Sequence, residues 1–578
     1  MWVLRGAEGH ALSHLIKGKV IFTRDPHHLK SREFPFEPML QDPQDETSCP
    51  PALFAWEGTG IMLCPAKRLR HGMVKTPSAR GQTPAGSSTS GELSYAWTGS
   101  GPTGAQTQLE NISMNAPDVG QPNMGQTSAV SPNPRIVTPL VTSEWSLALR
   151  NANLLQRYPH IPTFISLGAN AGIPTINSTF APPNYPSVDV HKEVFLEIVN
   201  NEFAKGQYWG PFSKEEVESI IGPFQTSPLS LIPKPGKPSK FRLIQNLSYT
   251  LVSKSVQSIN SSIVPDLYPC TWGTFATVAT LIWSLPPGSL GACRDVSKVY
   301  RIVPLAPDQW PGVVIRLQGD EQSKLFALNT CVCFGKKSSG GLFGRFGDAL
   351  LDILRAAGIG PSLRWVDDFI FFSIRKEHLP EYNKIQKIWR RRIEENSGKL
   401  QRGGRHWYKG GCLPSDHVEE FAEDMTEPLK DLMVSHSNGK DVSQTYTMED
   451  IDKISERLGI PWEWSKDVLF GSRIPFIGFD WDLERKTVAL QEKKKEKYAS
   501  VIVKWKRRKS HTLSDVEKLY GKLLHTCSIV PEGCAYLTGL ESMLGIFHQS
   551  PHKPRRPPHQ VERNLLWWLR VLSKPVLV

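Results

Sequence analysis

No run of about 20 consecutive apolar residues occurs anywhere in the 578-residue chain, so a membrane-crossing helix is not expected. The opening segment, "MWVLRGAEGHALSHLIKGKVIF", lacks the continuous apolar core of a secretory signal. Both absences point to an intracellular protein of cytoplasm or nucleus, not a secreted one. The N-x-S/T sequons at Asn111, Asn177, Asn246 and Asn260 then count as chance matches. Zinc-finger and zinc-knuckle spacings are missing too: of nine cysteines only Cys331 and Cys333 lie close, which excludes a structural zinc site and leaves reduced thiols. From Pro77 to Arg135 charge and apolar anchors are scarce, and Gly, Ser, Thr, Pro, Asn and Gln dominate. Such a stretch cannot offset its ordering entropy, so residues 1–140 are expected to be mostly disordered or without an assignable role.

Positive charge is plentiful and unevenly placed. Between Glu484 and His511 eleven Lys or Arg stand against three Glu, a net +8 of the chain's +12. An isolated charge run is often only a solvated helix face. Trp505 inside "KWKRRK" adds a stacking element, and Lys504, Lys506, Arg507, Arg508 and Lys509 become candidates for binding a polyanion such as nucleic acid.

The stretch "RWVDDFIFFS" sets two adjacent carboxylates, Asp367 and Asp368, between strand formers. Unpaired buried carboxylates are costly, so the pair must cap an exposed turn, meet cations or ligate metal. A β-hairpin with the acids at its tip satisfies all three. Upstream, "GSLGACRDVSKVYRIVPL" reads as a strand ending at Asp295. A lone strand-end Asp caps turns more often than it binds metal. Carboxylates from separate strands, however, are what two-metal phosphoryl transfer requires: one ion activates a 3′-hydroxyl and the other neutralises the leaving pyrophosphate. Two Mg²⁺ ions, or Mn²⁺ in their place, are the expected cofactors. A triphosphate would find cations on the hairpin "KPGKPSKFR", where Arg242 suits bidentate contact and Lys234, Lys237 and Lys240 suit point-charge contact. Tyr300, five residues after Asp295, could exclude a ribose 2′-hydroxyl, although a tyrosine there also suits a core. Two helices carry capping-box spacing, Ser213 with Glu216 and Thr512 with Asp515.

In their order, these motifs resemble the reverse transcriptases of retroelements: "LIPKPGKPSKFRLIQNLS", "CRDVSKVYRIVPL", "CFGKKSSGGLFGRF", "WVDD", then "GIPWEWSK" and "IPFIGFDWD". "WVDDF", "QNLS" and "NLLWWLRVLSKP" are most similar to DIRS-type or gypsy-type retrotransposon polyproteins of a fungal kind. The resemblance implies an α+β right-hand polymerase: a lead-in at 141–189, fingers and palm at 190–485 with an insertion at 375–455, a basic helical thumb at 486–550, and a truncated connection at 551–578. It implies Asp295, Asp367 and Asp368 as metal ligands, Lys466 as a possible general acid near pyrophosphate, and Tyr300 as the sugar gate. Phe334 and Gly335 would line the nucleotide pocket, Lys234, Lys237 and Arg242 would hold the triphosphate, and Phe476, Ile477 and Gly478 would grip the primer. The implied partners are an RNA or DNA template with its primer, and dNTPs; no membrane is involved.

Three features depart from the family. Trp365 stands where Tyr or Phe is usual, the 375–455 stretch is long, and the chain ends soon after "WWLRVLSKP", with no protease, integrase or recombinase motif and no ribonuclease H. The last suggests a fragment or remnant, and a catalytically silent nucleic-acid-binding protein is the alternative. An RNA-dependent RNA polymerase fits less well, because such enzymes usually carry Gly at the place of Val366 and a polar residue near the place of Tyr300.

Overall fold

The computed structural model describes residues 136–574 except 235–236, 251–255, 270–272, 318–324, 396–398, 403–404, 410–419, 422–425, 434–442, 507–509 and 548–549. The disorder expected before residue 136 falls outside the described residues. What is described mixes helices with five small sheets, all paired antiparallel.

Strands β1 (Tyr208–Phe212), β5 (Ile315–Arg316) and β6 (Phe326–Asn329) form one sheet, and β2 (Leu229–Lys234) pairs with β3 (Lys237–Gln245) in the hairpin expected around the Pro-Gly-Lys turn. The central sheet has the order β12 (Val468–Gly471), β4 (Leu290–Asp295), β8 (Asp368–Ser373), β7 (Ser362–Trp365). Strands β9 (Lys399–Arg402), β10 (Arg405–Lys409) and β11 (Glu420–Phe421) make a third sheet, and β13 (Arg473–Phe476), β14 (Phe479–Asp482) and β15 (Thr487–Leu490) form a meander.

β8 explains its own "DFIFFS". Successive side chains of a strand point to opposite faces, and both faces of β8 are covered. Phe369 and Phe371 meet Trp462 in one core, while Ile370 and Phe372 belong to a second core with Phe476, Phe479 and Trp481 of the meander. Only Asp368 at its start is exposed.

Eight helices matter below: α1 (Thr142–Asn151), α2 (Lys192–Ala204), α3 (Phe275–Ser284), α4 (Ser339–Ala357), α5 (Glu492–Lys506), α6 (Leu513–Cys527), α7 (Thr538–Ile546) and α8 (His559–Leu572). Both expected capping boxes are present, Ser213 with Glu216 and Thr512 with Asp515. Val516, Leu519 and Leu523 form the buried stripe of α6. α8 lies in the stretch assigned to a connection; its buried Val561, Leu565 and Trp568, at helical spacing, share the second core with α6. Among the described residues, no helix is long and apolar enough to cross a membrane.

Candidate active site

The hairpin β7–β8 turns through two residues, Val366 and Asp367, with Trp365 opposite Asp368. Across the next ladder Asp368 stands directly opposite Asp295, the last residue of β4. Three carboxylates thus reach one end of the central sheet, as the spacing implied. Backbone bonds fix them there: the Val296 amide donates to the Asp367 carbonyl (3.0 Å), and the Glu463 amide donates to the Asp295 carbonyl (2.8 Å). Lys466 follows Glu463 closely in sequence, and its Nζ donates to Asp295 Oδ1 at 2.7 Å.

The electrostatics are strained. Burial, reinforced by Asp295, raises the Asp367 carboxyl above its ordinary range, and burial together with Asp367 and Asp295 does the same to Asp368. Burial opposes the Lys466 charge, but its bond to Asp295 and the three carboxylates outweigh that and lift the ammonium above its usual value. An oxygen-only donor set of this charge suits a hard divalent cation such as Mg²⁺. Among the described residues, though, no three His, Cys, Asp or Glu side chains are gathered as a ready metal site. Asp295 would have to exchange Lys466 for an ion.

A cleft beside Asp295, Asp368 and Lys466 is closed on its far side by Phe476, Ile477 and Gly478. These three lie at the β13–β14 turn, where Phe476 pairs with Phe479 across two residues of positive φ: Ile477 at 45° and Gly478 at 88°. Such a turn suits hairpin twist, but a β-branched residue is costly in the left-handed region. The turn is held from α6. His525 stacks on Phe479 (centroids 4.4 Å apart) and its Nε2 lies 3.0 Å from the Ile477 carbonyl, so the neutral ring donates from Nε2. A Cβ on Gly478 would collide with Lys494 of α5.

This clamp carries a pH signature. Burial, with help from Lys494, pushes the His525 imidazole down from 6.5 to about 4. Below pH 6.5 the unfolded chain takes up a proton that the folded site refuses until about pH 4. Stability present above the first value is therefore lost as pH falls towards the second, by up to about 3 kcal/mol. His160, also pushed down to about 4, acts with the same sign. Asp367 and Asp368, with their carboxyls raised, act with the opposite sign over the same window. The clamp is therefore read from the stability difference between wild type and His525→Gln, which should change by up to about 3 kcal/mol between pH 6.5 and 4; a difference independent of pH would refute the clamp.

The other expected residues fall into separate groups. Tyr300 is buried and meets Phe334 edge to face at 4.8 Å, next to Gly335, so these three are brought together. Arg242 is exposed on β3 opposite Ile232, and Lys234 is half-buried at the end of β2. Lys504 is exposed near the end of α5. The side chains of Lys237 and Lys506, and Arg507, Arg508 and Lys509, lie outside the described residues.

Two supports of the acid cluster escaped the sequence reading. The fully buried Arg294, beside Asp295, is sandwiched between Trp462 and Trp464 (4.7 and 4.5 Å to the centroids) and paired with Asp452 and with Asp467 (2.9 Å). Arg364, buried in β7, pairs with Asp348 of α4 at 2.5 Å and donates to the Gly344 carbonyl (2.8 Å) and, more weakly, to that of Val366 (3.4 Å). Gly347 leaves room for it, since a Cβ there would strike the guanidinium. A glycine inside the helical run "GRFGDALLD" was the available signal.

No protein-family model matches the chain, and no curated protein does. Among solved structures it is similar to the foamy viral protease-reverse transcriptase in complex with RNA/DNA hybrid (12% identity, TM-score 0.40, 77% of this chain and 48% of that one). It is also similar to the dRH form of that protein in complex with ds DNA (13%, 0.39, 70% and 50%) and to the protein in complex with dsDNA (14%, 0.39, 76% and 72%). The chain spans about half the length of the first two. At such low likeness, function rests on the chemistry of the site.

Proposed function

We infer that this chain is an RNA-directed DNA polymerase of a retroelement, extending a primer on an RNA or DNA template. The observation that carries it is Asp295 facing Asp368 across the sheet end, with Asp367 in the adjoining turn and the cleft running to the Phe476–Gly478 turn. In this reading the central sheet is the palm, β2–β3 the fingers hairpin, and the helices from α5 onward the thumb. Two bound Mg²⁺ ions would be held by Asp295, Asp367 and Asp368, and would supply the activation of the 3′-hydroxyl and the stabilisation of charge on the phosphates. Lys466, once it leaves Asp295, would give a proton to departing pyrophosphate. Tyr300, braced by Phe334, would crowd a ribose 2′-hydroxyl. Arg242, with Lys234 or Lys237, would hold the triphosphate. Purified protein with Mg²⁺ or Mn²⁺, an RNA template and a DNA primer should incorporate dNTPs; no incorporation would sink the proposal. Tyr300→Ala should lower the preference for dNTPs over rNTPs by on the order of tenfold to a hundredfold, read by competition.

The Lys466 ammonium seated on Asp295 favours a second reading, a nucleic-acid-binding protein without catalysis. It predicts salt-sensitive binding of primer-template without extension. Both readings give the basic run from Lys504 to Lys509 the same role. Replacing Lys504, Lys506, Arg507, Arg508 and Lys509 by Gln should weaken binding to all sequences alike and reduce the slope of log K against log salt by roughly 3 to 4. An unchanged slope would make the run a solvated face.

A further inference from the structure

Lys336 is the anomaly of the second residue group. Its side chain is buried, and among the described residues its Nζ has no hydrogen-bond partner. A buried ammonium without a partner is among the costliest arrangements a fold can hold. Its surroundings make matters worse. The Arg301 charge, from the turn after β4, acts on it unfavourably, and is itself already matched by Glu202 of α2 (2.7 Å). Burial, with Arg301 adding to it and Cys333 opposing, pushes the Lys336 amine below its ordinary value. The other titratable groups around Arg301 are Tyr208 and Cys331, neither of which offers Lys336 a counter-charge. A methionine would fill this space at less cost, so packing alone does not account for a lysine here.

The Gly335 side of Lys336 is open. Gly335 is exposed, has φ 88°, and its missing Cβ would meet only the Gln245 carbonyl, at an ordinary 3.5 Å. On both sides of Lys336 the backbone is pinned: Asn260 donates to the Gly335 carbonyl (2.8 Å) and accepts from the Lys337 amide (3.0 Å). The side chain can therefore change direction while its anchor points stay. A second buried donor without a partner, Gln245 Nε2, lies at the end of β3, the strand that carries Arg242. Phe334, on the other side of Gly335, packs on Tyr300.

We propose that Lys336 is an anion ligand held in reserve, buried in the free protein and drawn out past Gly335 to meet the polyphosphate of a bound nucleotide. In emerging, its amine regains its ordinary affinity for a proton, so binding is coupled to net proton uptake. The nucleotide rests on the polymerase reading; the polyanion does not.

Calorimetry on the full chain in EDTA separates the two, because it needs no turnover. With dATP and with inorganic tripolyphosphate as probes, Lys336→Met and Lys336→Gln should each weaken binding by on the order of tenfold to a hundredfold. Lys336→Met should at the same time raise the melting temperature of the free protein. Equal affinity in wild type and either folded variant overturns the proposal. Should neither variant fold, the wild type still decides: at about pH 9.5, just below the ordinary lysine value, dATP binding in buffers of different ionisation enthalpy should show net proton uptake, and no uptake overturns the proposal. Lys336-dependent tripolyphosphate binding by a chain that extends no primer would keep the site and remove the polymerase; extension with Lys336-independent dATP binding would do the reverse.

Discussion

Asp367→Asn is expected to abolish primer extension, by a factor of at least about 10³, while leaving the fold as stable as wild type or more so. The two halves of that result have one cause. Asp295 and Asp368 are opposed across an antiparallel ladder with Asp367 beside them, and like charges so placed destabilise a sheet by up to about 1 kcal/mol per pair. Burial adds to the cost, since it is the first reason the Asp367 and Asp368 carboxyls are shifted upward. The Lys466 bond to Asp295 and a backbone hydrogen bond to the Asp367 carboxylate offset part of this cost. An amide at position 367 removes one charge and keeps the shape, so the sheet end relaxes. A site whose charges oppose folding is one kept for chemistry. Extension assays and melting curves in EDTA measure the two halves. Activity equal to wild type would end the polymerase proposal, and a marked fall in melting temperature would make the acid a structural one.

The acid hairpin was legible because its signals are local. Strand formers flank the Asp pair on both sides, so a hairpin tip at the two acids was readable; the structure moves the turn one residue back, to Val366 and Asp367, and makes Asp368 the first residue of β8. The capped helices were legible for the same reason, since Ser213 and Glu216, or Thr512 and Asp515, are three residues apart. What holds these pieces together was not legible. Arg364 meets Asp348 across a helix and a turn, Arg294 meets Asp452 and Asp467 from far along the chain, and His525 reaches Ile477 from another helix. None of these pairs follows a helical or strand period, and none contains a residue type unusual for the surface. The group of Tyr300 and Phe334 was named from the resemblance, but its neighbour Lys336 reads in sequence as one more exposed lysine of "GKKSSGG". Only the fold shows it buried.

Arg364→Met should cost about 3 to 5 kcal/mol, because it leaves Asp348 charged and buried without its partner. Both side chains are only 2% exposed, so water cannot replace the guanidinium. Pairing it with Asp348→Leu should recover most of that loss, as apolar replacements of both members of a buried pair commonly do. Thermal melts of the two single variants and the double variant measure the coupling. The function of the pair shows in what the double variant fails to recover. Val366 holds a φ of 55°, a position a β-branched residue resists, and its carbonyl accepts from Arg364 while its neighbour Asp367 lies beside the other two acids. Strain of this kind, on the order of 1 to 3 kcal/mol, persists only where surrounding contacts enforce it. Without Arg364 the turn can relax, and Asp367 loses its fixed place beside Asp295. The stable double variant should therefore extend primers at least about tenfold more slowly than wild type, since small displacements of catalytic groups are costly in rate. Full extension by a stable double variant would reduce Arg364 to a core residue and leave the turn to be held by the Val296 and Asp367 backbone bond alone.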